Sequence, residues 1–158
     1  MGLDMYLSAR RYVGDWNHDS KDSWERKAYR AVTKAVGLPG FRCEGSPHLE
    51  VHVSVGYWRK ANAIHKWFVD NVQNGEDECK SHHVSREAMQ KLLDIVNDVL
   101  EHHENAETLL PPQSGFFFGG TEIGEYYWED LRYTKKLLAD LLTDERFKDW
   151  EFYYQSSW

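Results

Sequence analysis

Two hydrophobic periodicities follow one another along this chain, and together they limit the folds open to it. From Leu49 to Trp58 apolar and polar side chains alternate with a period of two, which is typical of a half-buried strand. Immediately afterwards, Ala61, Phe68 and Val72 recur at helical spacing. A strand that passes directly into an amphipathic helix indicates a sheet covered by helices.

The same two patterns predict the other elements. Ser85 is a candidate helix N-cap, and Gly37 is a candidate helix C-cap. Because few long apolar strands are present, a doubly wound parallel sheet is disfavoured. The sequence therefore predicts an α+β fold: an antiparallel or mixed sheet of about four strands, with about four helices packed mainly on one face. The predicted strands lie at residues 3–7, 49–58, 116–118 and 150–155, and the predicted helices at 20–36, 61–75, 85–100 and 127–142.

Length and charge restrict the class of partner. A chain of 158 residues fits one globular domain over residues 1–158. Its net charge of −7 comes from residues 101–158, which hold 5 basic and 12 acidic residues. An acidic surface repels phosphate backbones, so duplex nucleic acid is not an expected partner. Residues 101–158 fit either solubility or docking onto a basic surface of a host protein.

Cysteine and histidine usage indicates the compartment and argues against a metal. Only Cys43 and Cys79 occur, which favours a reducing compartment over a disulfide scaffold. The chain contains neither a secretory signal pattern nor an apolar run of membrane length, so we expect a cytoplasmic protein without membrane contact. Cys79 and His82 form a Cys-x-x-His pair, but no second ligand pair accompanies it. No metal and no cofactor are predicted.

The junction between the strand and the helix is the strongest candidate for a binding site. A helix N-terminus carries a partial positive charge, and Arg59 and Lys60 add two full charges there. Asn62 and His65 are three residues apart and share a helix face. Trp58 falls off the main apolar face, which suits either stacking on a base or anchoring a protein partner. We therefore predict that these five residues bind a small anionic ligand, with a nucleotide as one candidate. In the alternative interpretation, the two cations are solvated, and Asn62 and His65 tie the helix to a neighbouring loop.

A catalytic interpretation has less support. His65 and Glu129 are the acid–base candidates for an enzyme that acts on a nucleotide. Glu125, Glu129 and Asp130 lie near the start of the last helix, where acidic residues normally complement the helix dipole. The chain has no nucleophile elbow, Walker loop, Rossmann glycine pattern or zincin motif. A non-catalytic binding protein is the preferred hypothesis.

Several long blocks of sequence resemble a family of small proteins encoded by tailed bacteriophages and prophages. The resemblance implies a phage accessory protein in the cytoplasm of a bacterial host, with host manipulation or counter-defence as the expected setting. It carries no catalytic or binding residue with it. An acidic inhibitor that binds a host protein through residues 101–158 remains the alternative function. The blocks are Met-Gly-Leu-Asp-Met-Tyr-Leu at residues 1–7, residues 56–68 with Gly-Tyr-Trp-Arg-Lys-Ala-Asn-Ala-Ile-His, residues 114–119, residues 127–131, and residues 152–158 with Phe-Tyr-Tyr-Gln-Ser-Ser-Trp.

Overall fold

The computed structural model describes residues 2–16, 23–41, 48–115 and 118–158. Within these ranges four strands form an antiparallel sheet in the order β2-β1-β4-β3, which confirms the predicted α+β class. The strands are β1 (Asp4–Gly14), β2 (His48–Arg59), β3 (His82–Val84) and β4 (Glu151–Ser157). The helices are α1 (Trp24–Ala35), α2 (Asn62–Val72), α3 (Arg86–Glu101), α4 (Ala106–Leu109) and α5 (Glu125–Thr143), with 3-10 turns at His103–Asn105 and Glu145–Phe147.

The chain divides into two compact units, and the boundaries fall within β1 and within β2. The larger unit comprises Met1–Ala9 and Ser54–Trp158, and the smaller unit comprises Arg10–Val53. In the smaller unit the buried carboxylate of Asp15 lies 2.6 Å from Nε of Arg26, and Arg30 approaches it at 3.4 Å. The prediction of one domain over residues 1–158 stays a prediction.

One face of the sheet supplies the core of the larger unit. Along β1, Met5, Leu7 and Ala9 are fully buried, whereas Tyr6 on the opposite face is exposed, as the period of two predicts. Helices α2, α3 and α5 bring apolar stripes onto this buried face, as their helical spacing predicts. The buried residues of these elements include Phe152 and Tyr154 of β4, Ile64 and Phe68 of α2, Met89, Leu92 and Val96 of α3, and Leu131 and Leu138 of α5.

The alternation along β2 has the predicted period, but it faces the other way. In the larger unit Gly56 and Trp58 are buried, while Tyr57 is exposed. The reason is the close approach of α5, since a Cβ atom added at Gly56 would lie 2.5 Å from Cδ2 of Leu137. Trp58 therefore belongs to the core, which corrects the expectation that it lies off the apolar face. Trp67 of α2 is likewise buried.

One strand was not predicted, and one predicted strand is not tested in full. The expected strand at residues 116–118 includes 116 and 117, which lie outside the described residues, and Phe118 lies in a bend. The short strand β3 carries no apolar alternation, so it could not be predicted from local sequence. It is defined by antiparallel pairing with β4, in which Val84 lies opposite Phe152.

Local capping signals in the sequence were accurate. Ser85 precedes α3, and its hydroxyl oxygen accepts a hydrogen bond of 3.1 Å from the backbone N–H of Ala88. Gly37 follows α1 with a φ of 83°, the left-handed conformation that a glycine C-cap adopts. None of the helices in the described ranges combines the length and the apolar character that crossing a membrane requires.

Candidate ligand-binding cavity

The junction between β2 and α2 contains a residue with a strained backbone. Lys60 has a φ of 61°, in the left-handed region that costs a non-glycine residue about 1–2 kcal/mol. Its N–H donates a hydrogen bond of 2.8 Å to the carbonyl oxygen of Leu3, and its carbonyl oxygen accepts one of 2.8 Å from the N–H of Asn62. These contacts hold the turn so that α2 starts directly after the end of β2. Strain of this kind is concentrated at functional sites in proteins.

Two glycines leave space for the side chain of Lys60. A Cβ atom at Gly119 would lie 3.3 Å from Cβ and 3.4 Å from Cδ of Lys60, and a Cβ atom at Gly2 would lie 3.4 Å from its Cε. The aliphatic stem of Lys60 is therefore packed between these glycines. Gly119 itself has a φ of 87°, so a side chain there would be strained as well as crowded.

A cavity of about 500 Å³ opens beside this junction, entirely within the larger unit. This volume lies within the range of small-molecule sites, which is roughly 300–1,000 Å³. The first wall contains Arg59, Lys60 and the first residues of α2. The second wall consists of Glu122 and the start of α5, and small or apolar residues complete the lining: Ala61, Ala63, Ile64, Pro112, Gly119, Gly120, Gly124 and Leu131.

The first wall is suited to an anion. Arg59 and Lys60 are exposed, and neither forms a salt bridge with any residue in the described ranges. Helix α2 has no side-chain N-cap, and its first i to i−4 hydrogen bond runs from the N–H of His65 to the oxygen of Ala61, at 2.9 Å. The N–H groups of Ala63 and Ile64 precede that bond, at the positive end of the helix dipole. Two full charges and a helix terminus thus border the same cavity.

The second wall is acidic and aromatic. Glu122, Glu129 and Asp130 line it, and burial, together with the neighbouring Glu129, raises the pKa of Asp130 to about 6. Tyr127 is buried, donates a hydrogen bond of 3.0 Å to the oxygen of Leu110, and has its pKa raised to about 12 by burial. Tyr126 is 85% exposed and lies at the cavity rim. The ring of Tyr126 is therefore free to contact a ligand.

Asn62 contributes to the cavity by positioning the loop at residues 113–120. Its side-chain amide donates to the carbonyl oxygens of Phe118, at 3.1 Å, and Gly120, at 2.8 Å. Its side-chain oxygen accepts a hydrogen bond of 3.1 Å from the N–H of Gln113. Asn62 thus ties helix α2 to a neighbouring loop, as the alternative interpretation of the sequence proposed, while it also lines the cavity.

His65 lies in the core and does not line the cavity. It is fully buried, with Nδ1 at 2.7 Å from the hydroxyl of Tyr154 and Nε2 at 3.1 Å from Oδ2 of Asp77. A neutral ring protonated on Nε2 satisfies both contacts, because Tyr154 then donates to Nδ1 and Nε2 donates to Asp77. Phe118 completes the surroundings with an edge contact at 5.0 Å between ring centroids. The role of His65 is to join α2, β4 and the loop after α2.

Trp58 is equally well satisfied inside the core. Only 2% of its surface is exposed, and its indole N–H donates a hydrogen bond of 2.9 Å to the hydroxyl of Thr134. Of the five predicted site residues, the structure brings Arg59, Lys60 and Asn62 to the cavity and places Trp58 and His65 behind it. It does not bring His65 together with Glu129, since only Glu129 faces the cavity.

Little in the sequence indicated the rest of the cavity lining. Glu129 and Asp130 have the pattern of acidic residues that complement a helix dipole, and that pattern does not indicate a cavity wall. Helical spacing placed Tyr127 on the apolar stripe with Leu131, and both are buried, but nothing in the sequence indicated that Tyr126 lies at the rim of a cavity. In the described ranges, no group of three or more His, Cys, Asp or Glu side chains is arranged to hold a metal ion.

No family model, curated protein or solved structure matches this chain. The resemblance to a family of phage proteins therefore stays a prediction, and the functional argument depends on the geometry of the cavity.

Proposed function

We propose that this protein is a non-catalytic binding protein that recognises a small anionic ligand, with a nucleotide as the favoured class, in the cavity between β2, α2 and α5. The sequence resemblance suggests its setting: a phage or prophage accessory protein in the bacterial cytoplasm that acts in host manipulation or counter-defence. The observation that carries the proposal is a cavity of about 500 Å³ bordered by Arg59, Lys60 and the uncapped start of α2.

Electrostatics support binding at the Lys60 end. The two cations have no salt-bridge partner among the described residues, so a guest does not have to displace an internal carboxylate from them. Charge-assisted hydrogen bonds from a lysine to a phosphate are stronger than neutral ones. The N–H groups at the start of α2 add the dipole contribution that phosphate sites at helix N-termini use.

Isothermal titration calorimetry with ribose 5-phosphate and a panel of nucleoside monophosphates tests this proposal. Lys60→Met should weaken binding about tenfold, because one charge-assisted hydrogen bond is lost. Lys135→Met is the matched control. Lys135 is exposed on α5 outside the cavity, and the variant has the same net charge as Lys60→Met. Binding should change less than twofold in the control. Equal affinity in Lys60→Met and the wild type would refute the site, and so would the absence of binding to every phosphate at millimolar concentration.

The alternative of an acidic inhibitor acting through residues 101–158 has weaker support. Several exposed carboxylates in this region are already paired with nearby cations. Examples are Glu125 with Arg132, at 2.5 Å, and Asp140 with Lys136, at 2.6 Å. Paired carboxylates attract a basic partner less strongly than free ones. Asp130 has no cationic partner among the described residues, but it lines the cavity.

A further inference from the structure

Asp130 is a carboxylate without a side-chain partner in the part of the chain that the structure describes. It is half-buried on the second wall of the cavity, and its side chain forms neither a salt bridge nor a hydrogen bond with any described residue. Carboxylates removed from water normally receive N–H or O–H donors. Asp130 therefore brings to the cavity lining a carboxylate that has no hydrogen-bond donor among the described residues.

We propose that the ligand is a guanine nucleotide, whose phosphate binds at Lys60 and whose base donates two N–H groups to Asp130. This inference rests on the proposed function and names the ligand class of the same cavity. Above pH 6 Asp130 is mainly ionised, so it acts only as an acceptor. A ligand with an anionic group alone would use the first wall and leave the second wall without a role.

Among the common bases, guanine matches a single carboxylate best. Its N1–H and 2-amino groups are adjacent donors that point the same way, and a carboxylate offers two oxygens that accept such a pair. Hypoxanthine keeps N1–H but lacks the amino group. Adenine places a ring acceptor beside its amino group, so a carboxylate oxygen would face a lone pair. The affinity of the site should therefore decrease from guanine to hypoxanthine to adenine.

The remaining features of the cavity fit a nucleotide of this size. Tyr126 is 85% exposed at the rim, which provides a ring on which a purine can stack. The volume of about 500 Å³ falls in the range of sites for drug-sized molecules. Two cations balance the charge of about −2 that one phosphate carries near neutral pH. Additional phosphates would add repulsion from Glu122, Glu129 and Asp130, so a monophosphate is favoured over a triphosphate.

Calorimetry at pH 7.5 with GMP, IMP, AMP and ribose 5-phosphate tests the assignment. GMP should bind the wild-type protein at least tenfold more tightly than IMP, because a site whose acceptors are placed for two ligand N–H groups rejects an analogue that lacks one of them. AMP should bind more weakly than IMP. In Asp130→Asn the ratio of the IMP dissociation constant to the GMP dissociation constant should fall from about ten or more to near one. In Tyr126→Ala the advantage of GMP over ribose 5-phosphate should shrink about tenfold, and Tyr126 is exposed enough for this variant to fold.

Measuring the preference for GMP over IMP at several pH values distinguishes hydrogen bonding of the base to Asp130 from repulsion between the ligand phosphate and the charge of Asp130. If Asp130 accepts base N–H groups, the preference for GMP over IMP declines as the pH falls through 6 in the wild type, and Asp130→Asn shows no such decline. Because both ligands carry the same phosphate, its titration cancels in the ratio. The charged group that acts directly on Asp130 is Glu129 on α5, and the other charged residues of the same cavity are Glu122, Arg59 and Lys60.

The outcomes distinguish the two proposals. If GMP, IMP and AMP bind equally well, or if Asp130→Asn retains the preference for GMP, the guanine assignment is wrong and the anion site stands. If ribose 5-phosphate and all the nucleotides fail to bind, the anion site itself is wrong.

Discussion

Lys60 combines backbone strain with a charge that borders the cavity. A left-handed φ at a lysine is maintained only because the surrounding hydrogen bonds, from its N–H to Leu3 and to its oxygen from Asn62, determine the turn. A glycine would adopt the same conformation without strain. The use of lysine here therefore costs stability and supplies a cation at the cavity.

Replacing Lys60 separates these two effects. Lys60→Gly should be more stable than Lys60→Ala by about 1 kcal/mol, or roughly 2–4 °C in Tm, because both variants lose the side-chain stem but only glycine relieves the strain. Both variants should lose affinity for ribose 5-phosphate. Differential scanning calorimetry of the pair measures the first effect, and a Lys60→Ala variant as stable as Lys60→Gly would show that the turn is not strained.

Asp130 should make stability depend on pH in a defined direction. Its pKa is about 6 in the folded protein, above the ordinary value of 3.8, so the folded state favours the protonated carboxyl. Stability should therefore fall as the pH rises from 3.8 to 6, and the loss should be complete above pH 6. Asp130→Asn removes this loss.

We expect Asp130→Asn to raise the stability of the free protein by about 1 kcal/mol at pH 7.5, after allowance for solvent screening, and to have little effect near pH 4. Thermal unfolding at the two pH values is the measurement. Glu107→Gln is the control, because it makes the same charge change at an exposed position on α4. An equal gain at both pH values would contradict the assigned pKa.

For single residues, the sequence predicted which charged side chains border the cavity more reliably than which polar or aromatic side chains are buried. Arg59 and Lys60 had to be near solvent, and both border the cavity. His65 and Trp58 are polar or amphipathic residues whose position depends on partners distant in sequence, Tyr154 and Thr134. Spacing along a helix shows which residues share a face, but it does not show whether that face meets water or a buried hydroxyl.

At the scale of elements, those with a strong period were predictable and those defined by pairing were not. The stripe on α3 and its Ser85 cap could be predicted from local sequence, because both depend on residues within a few turns of one another. Strand β3 has three residues and exists through its hydrogen bonds to β4. Its formation depends on tertiary contact, which local propensity does not encode.

Strand β4 lies between β1 and β3, so its removal should disrupt the sheet. Deleting residues 150–158 takes away the fully buried Phe152 and Tyr154 and exposes the edge of β1. We expect loss of the cooperative thermal transition. Deleting Trp158 alone is the control, since it removes a hydrogen bond to Asp77 and a ring contact with Phe118 but leaves β4 intact, so the cooperative transition should remain. A nine-residue deletion that unfolds cooperatively near the wild-type Tm would show that β4 is dispensable.

At the scale of the molecule, the two walls of the cavity come from distant parts of the chain. The cations are at residues 59 and 60, and the acidic wall lies at residues 122–130. The sequence predicted the first wall, because a strand next to a helix start is a local pattern. The second wall depends on the approach of α5 to the end of β2, which a linear sequence does not reveal. Acidic residues interpreted as a docking surface therefore include part of the cavity lining.

The contacts of Asn62 have a consequence for how this protein can diversify. All three of its partners at residues 113–120 are main-chain atoms, two carbonyl oxygens and one N–H. These three hydrogen bonds do not depend on which side chains Gln113, Phe118 and Gly120 carry. A substitution at Gly120, where an added Cβ atom would meet nothing within 4 Å, can therefore alter the chemistry of the rim while the loop stays anchored. Asn62 has no such freedom. Aspartate lacks the two donors, serine is too short, and only an amide of this length joins helix and loop in this way.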